Sequence, residues 1–164
     1  MNDEQTETIH TTSGLGELKP KVLDYFLLAR QKIQLYTDNL DPRILNDSQI
    51  ESALRQFIRL SRNSRLEILI KDERNLQGID HAIVRLSQKY TSFIDLRVIP
   101  KDFHDNYFSF YIIDGKRMIY RPQADRYEAE YRQLPDGKLN QRSKYFNEVW
   151  QQSAQAIYLR ALCL

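Results

Sequence analysis

Residues Asp102 to Gly115, DFHDNYFSFYIIDG, hold the side chains best suited to chemistry. His104 brings an imidazole, a group that serves as nucleophile or acid–base catalyst. Asp114 supplies a carboxylate directly before a glycine. A second group is cationic. Arg55, Arg59 and Arg62 recur at helical spacing with Arg65 just beyond, a stripe suited to contacting phosphates of a nucleic acid or a phosphate ligand. The same residues have plainer uses. His104, Asp105 and Asn106 read as a loop opening a strand, where side chains bond to nearby backbone. Asp114 reads as a turn former, and the arginines as a solvated face beside a helix C-terminus.

Other chemistries find no support in the pattern. His10, His81 and His104 are scattered, and Cys163 is the single cysteine, so the spacing predicts no metal site, no internal disulfide and no cofactor. His81 falls among apolar positions and reads as a structural histidine. There is no Walker loop, dinucleotide-binding glycine motif or serine elbow.

These residues are positioned by elements with clear signals. Val22, Leu23, Phe26 and Leu27 predict a helix from Pro20, and KIQLYT alternates as a strand. Ser48 to Glu51 has the form of a capping box ahead of Ile50, Ala53, Leu54, Phe57 and Ile58. RLEILIK and FIDLRVIP predict further strands, with a helix over 74–90 between them. YFSFYII and RMIYR flank Asp114-Gly115-Lys116 as a hairpin, and RYEAEYR adds an edge strand with Tyr127, Ala129 and Tyr131 on one face. A final helix carries Phe146, Val149, Trp150, Ile157 and Ala161.

The order predicts a layered α/β/α domain with a mixed sheet, parallel early and antiparallel in its C-terminal part. Residues 1–17 are polar and read as a flexible N-terminal tail; 18–164 form a single domain. With 164 residues, 41% hydrophobic and 28% charged, the chain is long enough for one core. A net charge of +2 imposes no strong overall field, so nucleic acid or phosphate is a partner class resting on the arginines alone. No apolar run reaches the ~20 residues of a membrane span. The N-terminus is acidic rather than leader-like, and the expected compartment is the cytoplasm.

IQLYTDNLDPRIL, RLEILIKD, FYIIDGKRMIY and YFNEVWQQS, in that order across residues 20–160, resemble one half of a phospholipase D-like domain. The chain is also similar to a proteobacterial domain that sometimes follows an acetyltransferase domain. Active members of the phospholipase D-like family carry a histidine, any residue, a lysine, four residues and an aspartate at an Asp-Gly turn. The resemblance implies a histidine nucleophile, a lysine on the phosphoryl oxygens and pairing of two copies to complete the site. Matched on Asp114-Gly115, this sequence has Tyr107 in the histidine position and Ser109 in the lysine position. His104 stands three positions early. Three residues along a strand cover about 10 Å, and an odd shift reverses the face.

The expected function is therefore a catalytically inactive phospholipase D-like binding or scaffolding module, its partner another protein or a second copy. The enzyme alternative is a homodimeric phosphodiesterase in which His104 and Asp114 act with Arg117 or Arg121 as the phosphate-holding cations.

Overall fold

A computed structural model of the chain describes residues 9–161. Its first elements are a strand, β1 (His10–Thr12), and a helix, α1 (Leu15–Leu28). Residues 10–17, expected as tail, are thus part of the domain, while residues 1–8 lie outside the described residues. The helix begins before Pro20 because Leu18 extends the buried face of Val22, Tyr25 and Phe26 by one turn. Packing along that face offsets the single backbone donor that Pro20 lacks.

The next strand is β2 (Lys32–Thr37), followed by a one-turn helix, α2 (Pro42–Leu45). Pro42 sits at its first position, where a missing N–H costs nothing. Helix α3 (Ser48–Arg59) buries the apolar positions its spacing predicts. Its cap differs from expectation. Asp47, not Ser48, is the N-cap: its carboxylate accepts from the N–H groups of Gln49 (2.8 Å) and Ile50 (3.2 Å) and pairs with Lys19 at 3.2 Å. A full negative charge interacts more strongly with the helix N-terminus than a hydroxyl does. Glu51 turns instead to Arg55 at 2.8 Å and Arg85 at 3.3 Å. Asp47→Ala is expected to lower the unfolding free energy by about 1 kcal/mol in urea titration, and Ser48→Ala by much less.

Strand β3 (Arg65–Ile70) leads to a 3₁₀ turn (Glu73–Leu76) and helix α4 (Ala82–Lys89). The single helix expected over 74–90 is broken because Gly78, at φ +75°, turns the chain out of the right-handed region. His81 then caps α4. Its Nδ1 accepts the Ile83 N–H at 3.1 Å, so Nε2 carries the proton and donates to the Leu40 carbonyl at 2.8 Å. Burial pushes this imidazole's pKa down, against the opposing effect of the Leu40 bond. The native state therefore resists protonation that the unfolded chain accepts. Stability from His81 is complete above its ordinary value of 6.5 and is lost as pH falls below it. Asp47, Glu130 and Asp136 are held below their ordinary carboxyl values, so their losses come at lower pH. His81→Asn is expected to flatten the decline in chemical stability between about pH 6.5 and 5.

After β4 (Ile94–Val98) comes the hairpin of β5 (Ser109–Ile113) and β6 (Arg117–Arg121), then β7 (Ala129–Arg132). Helix α5 (Gly137–Gln152) ends at Ser153, short of the expected final helix. The chain extends there into β8 (Ala154–Gln155), whose pairing with β4 and the Ala156 N–H on Leu96 O (3.0 Å) replace helical bonds, before α6 (Ile157–Ala161).

One mixed sheet results, in the order β1-β7-β6-β5-β2-β3-β4-β8. Strands β2, β3 and β4 are parallel, and the rest join antiparallel. The strand predicted at the edge, β7, is covered by β1. Ile33, Leu35, Ile68, Tyr111 and Ile119 face one core, shared with α1, α3, α4 and α6. Tyr36, Leu69, Phe110, Ile112 and Met118 face the other, closed by Leu139, Phe146 and Val149 of α5. The layering is α/β/α, as the pattern predicts.

Candidate functional site

Topology sorts the charged residues onto two rims. The parallel strands β2, β3 and β4 end together at one rim, with Asp38, Lys71 and Ile99 following them. Strand β5 runs antiparallel to β2 and starts at this rim, with Ser109 opposite Arg121. Ligand crevices in open α/β sheets form at such ends, where strand order reverses. Asp114, Arg117, Arg30 and Lys32 lie at the other rim, since Ile113 pairs with Arg117 and Ile33.

At the first rim, a short turn (Lys101–Phe103) holds His104, whose Nε2 bonds the Ile99 carbonyl at 2.8 Å. Tyr107 precedes the strand and is 77% exposed. Ser109 is buried and donates to the Tyr36 carbonyl at 2.9 Å. Ser109 is thus turned into the protein, while Tyr107 presents its ring and hydroxyl at the cleft. Arg121, also on this rim, is 2% exposed. Its guanidinium donates to the carbonyls of Ala124 (2.6 Å) and Arg126 (2.7 Å) and meets Asp41 at 3.3 Å. All of its directed contacts are internal.

Asp114 is far from these groups. Its carboxylate accepts three backbone N–H bonds, from Arg30 (2.9 Å), Gln31 (2.7 Å) and Lys32 (2.8 Å), tying the hairpin turn to the start of β2. The five residue steps from Ser109, along β5 and on to Asp114, cover about 17 Å. His104 therefore shares a rim with Arg121 but not with Asp114 or Arg117.

Lys71 is the residue that reasoning from sequence missed. Directly after β3, its side chain is 17% exposed, and its ammonium pairs with Asp38 at 3.2 Å and donates to the Asn106 carbonyl. Asn106 in turn bonds Phe103 O at 3.2 Å and the Tyr145 hydroxyl, which lies 3.1 Å from that of Tyr36. Burial and the bond to Tyr145 drive the Tyr36 phenol far above its ordinary range, so it stays protonated. The available signal was a lysine abutting a buried strand in RLEILIKD. Beside this network lies a cleft of about 540 Å³, lined by Asp38, Tyr107, Pro122, Gln123, Ala124 and Asp125. It adjoins a hollow bounded by Asp41, Arg43 and Tyr127. The charged groups on these walls are Asp38, Asp41, Asp125 and Arg43. Lys71 and Arg121 are bound to two of them, and Arg43 reaches the Tyr127 hydroxyl at 3.2 Å. Such a lining disfavours a phosphoryl group, whose transition state needs free cations.

The arginine stripe lies elsewhere. Arg55 is paired with Glu51, whereas Arg59, Arg62 and Arg65 are exposed near the second rim. His10 belongs to β1, with its ring 5.6 Å from that of Tyr131. Cys163 lies outside the described residues. Among the described residues no three His, Cys, Asp or Glu side chains are grouped to hold a metal ion, and no helix is long and apolar enough to cross a membrane.

Comparison with known proteins accords with this geometry. TrmBL2, an archaeal chromatin protein described as showing a novel mode of DNA binding, superposes with a TM-score of 0.67 at 16% identity over 95% of this chain; the chain spans 57% of TrmBL2. The phospholipase D family member Nuc from Salmonella typhimurium matches with a TM-score of 0.65 at 16% identity, over 90% of this chain and 97% of Nuc. NucT from Helicobacter pylori gives 0.63 at 14% identity, over 90% and 99%. No curated protein matches the sequence. Residues 17–162 match the model of the family described as Domain of unknown function (DUF7931). With nearly the whole domain matched, the chain belongs to that family, and its mixed α/β sheet has the phospholipase D-like fold.

Proposed function

We propose that this chain is a phospholipase D-like domain without phosphodiesterase chemistry, acting as a binding or scaffolding module for another protein or a second copy of itself. The observation that carries the reading is the fate of the in-register pair. Ser109, where the fold's active members place lysine, is buried with its hydroxyl on Tyr36 O, and Tyr107 points into solvent. The surrounding cations support the same reading, because Lys71 and Arg121 are already bound within the protein. Without a free cation and an aligned nucleophile, the cleft lacks both parts of a phosphoryl-transfer site. Tyr107, exposed at the cleft mouth, is the natural anchor for a partner, since exposed aromatics dominate interface energetics.

Incubation of the purified protein with a chromogenic phosphodiester tests the proposal. The expected rate equals that of His104→Ala. Turnover that His104→Ala abolishes and Gln56→Ala, an exposed position on α3, preserves would establish the enzyme alternative instead.

A further inference from the structure

The second rim carries a surface that the cleft does not explain. Helices α1 and α3 each lead into one of two adjacent parallel strands, β2 and β3, so they run in the same direction and end side by side. Arg30 and Arg65 close the two ends in the same way. Arg30 Nη1 donates to Leu27 O (3.1 Å) and Ala29 O (2.9 Å), and Arg65 Nη1 donates to Arg62 O and Ser64 O at 2.8 Å each. Both arginines are exposed. Lys32, Arg59, Arg62 and Lys116 are exposed at the same end. Of the nearby acids, Asp114 is held by three backbone N–H groups, Glu67 by Gln34 at 2.9 Å and Lys32 at 3.8 Å, and Asp95 by Arg97 at 3.0 Å, while Asp24 is exposed on α1.

The same two helix ends carry three leucines that the core does not cover. Leu27 and Leu28, in the last turn of α1, are 45% and 44% exposed, and Leu60, at the end of α3, is 53% exposed. Singly such exposure is ordinary. Three leucines on two neighbouring helix ends that also carry cations match a surface that is both anionic and apolar.

We propose that this end of the domain docks on an anionic lipid bilayer, with the leucines entering the headgroup–acyl boundary and the arginines and lysines meeting lipid phosphates and carboxylates. Interfacial binding draws on both contributions, buried apolar area and attraction to anionic headgroups. Long cationic side chains suit that boundary, because their stems lie along apolar groups while their charges reach water. A nucleic acid backbone would use the cations and leave the leucines without a partner. A single-stranded one would also want exposed stacking aromatics; Phe93, beneath Arg65 at 5.8 Å, Tyr90 and Trp150 at this end are each only partly exposed. The docking end is opposite the cleft and stands whether or not the cleft turns over a phosphodiester.

Co-sedimentation of the full chain with vesicles tests this, comparing phosphatidylcholine alone with mixtures holding about 30% phosphatidylserine. Partition is expected only into the anionic vesicles, and to weaken between about 0.05 and 0.3 M salt. Arg59→Ala with Arg62→Ala should reduce it by about 25-fold, roughly five-fold per cation removed near a charged leaflet. Leu28→Ser with Leu60→Ser should reduce it about ten-fold at unchanged Tm. Lys101→Ala, an exposed cation at the opposite rim, should leave it unchanged. Absence of partition at low salt overturns the proposal. So does a leucine variant that binds like the native chain while duplex DNA competes for the cations, which would assign the surface to nucleic acid.

Discussion

Arg121→Ala is expected to lower the unfolding free energy by about 3–5 kcal/mol, read as a drop in the urea midpoint at constant m. The guanidinium is 2% exposed and donates to the carbonyls of Ala124 and Arg126 and to Asp41. Its removal leaves two backbone acceptors without their donor and a carboxylate 19% exposed without its countercharge. It also withdraws the cation from the Tyr127 ring, 5.5 Å away. Lysine should recover less than half of the loss, since one ammonium cannot span the carbonyls and the carboxylate as a planar fork does. A phosphate-holding arginine would behave in the opposite way, with alanine changing stability by under about 0.5 kcal/mol and ligand affinity by much more. Stability and ligand titration of the same variant therefore decide which role Arg121 has.

Asp114→Ala should cost about 3 kcal/mol, the second largest effect expected. Three charge-assisted bonds to the Arg30, Gln31 and Lys32 amides are lost at once. Water reaches this turn and offsets part of that loss, which keeps the total below the sum of three such bonds. The backbone adds to the cost, because Asp114 sits at φ 55°, a conformation asparagine and aspartate adopt far more readily than alanine. Asp114→Asn should thus lose only about half as much. Amide exchange at residues 30–32 should quicken in both variants, more in alanine. An aspartate acting only in catalysis would leave those amides unchanged.

Much of the fold was legible from local pattern. The alternation in KIQLYT and FIDLRVIP, the apolar face of α3 and the Asp114-Gly115 hairpin all match observed elements. The misses share a cause. Strands β1 and β8 have three and two residues, too few for a period, and exist because β7 and β4 offer them bonds. The His81 cap is itself local, to Ile83, but the Leu40 carbonyl that fixes its tautomer is 41 residues away. Lys71 escaped notice because its partners, Asp38 and Asn106, come from two other segments.

What the sequence by itself determined is the set of strong helices and strands, the hairpin, the layered α/β/α class and the spacing of Tyr107 and Ser109 ahead of Asp114-Gly115. These follow from periods of 2 and 3.6 residues and from counting along one strand. Only the tertiary structure decided which rim each charged side chain occupies and which of them remain free. That depends on strand order, because a β2 flanked by β3 and β5 joins Lys71, His104 and Arg121 at one end and leaves Asp114 and the exposed arginines at the other. Arg121 and Asp114 read as site candidates in the chain; the fold brings them to partners 80 and 82 to 84 residues away.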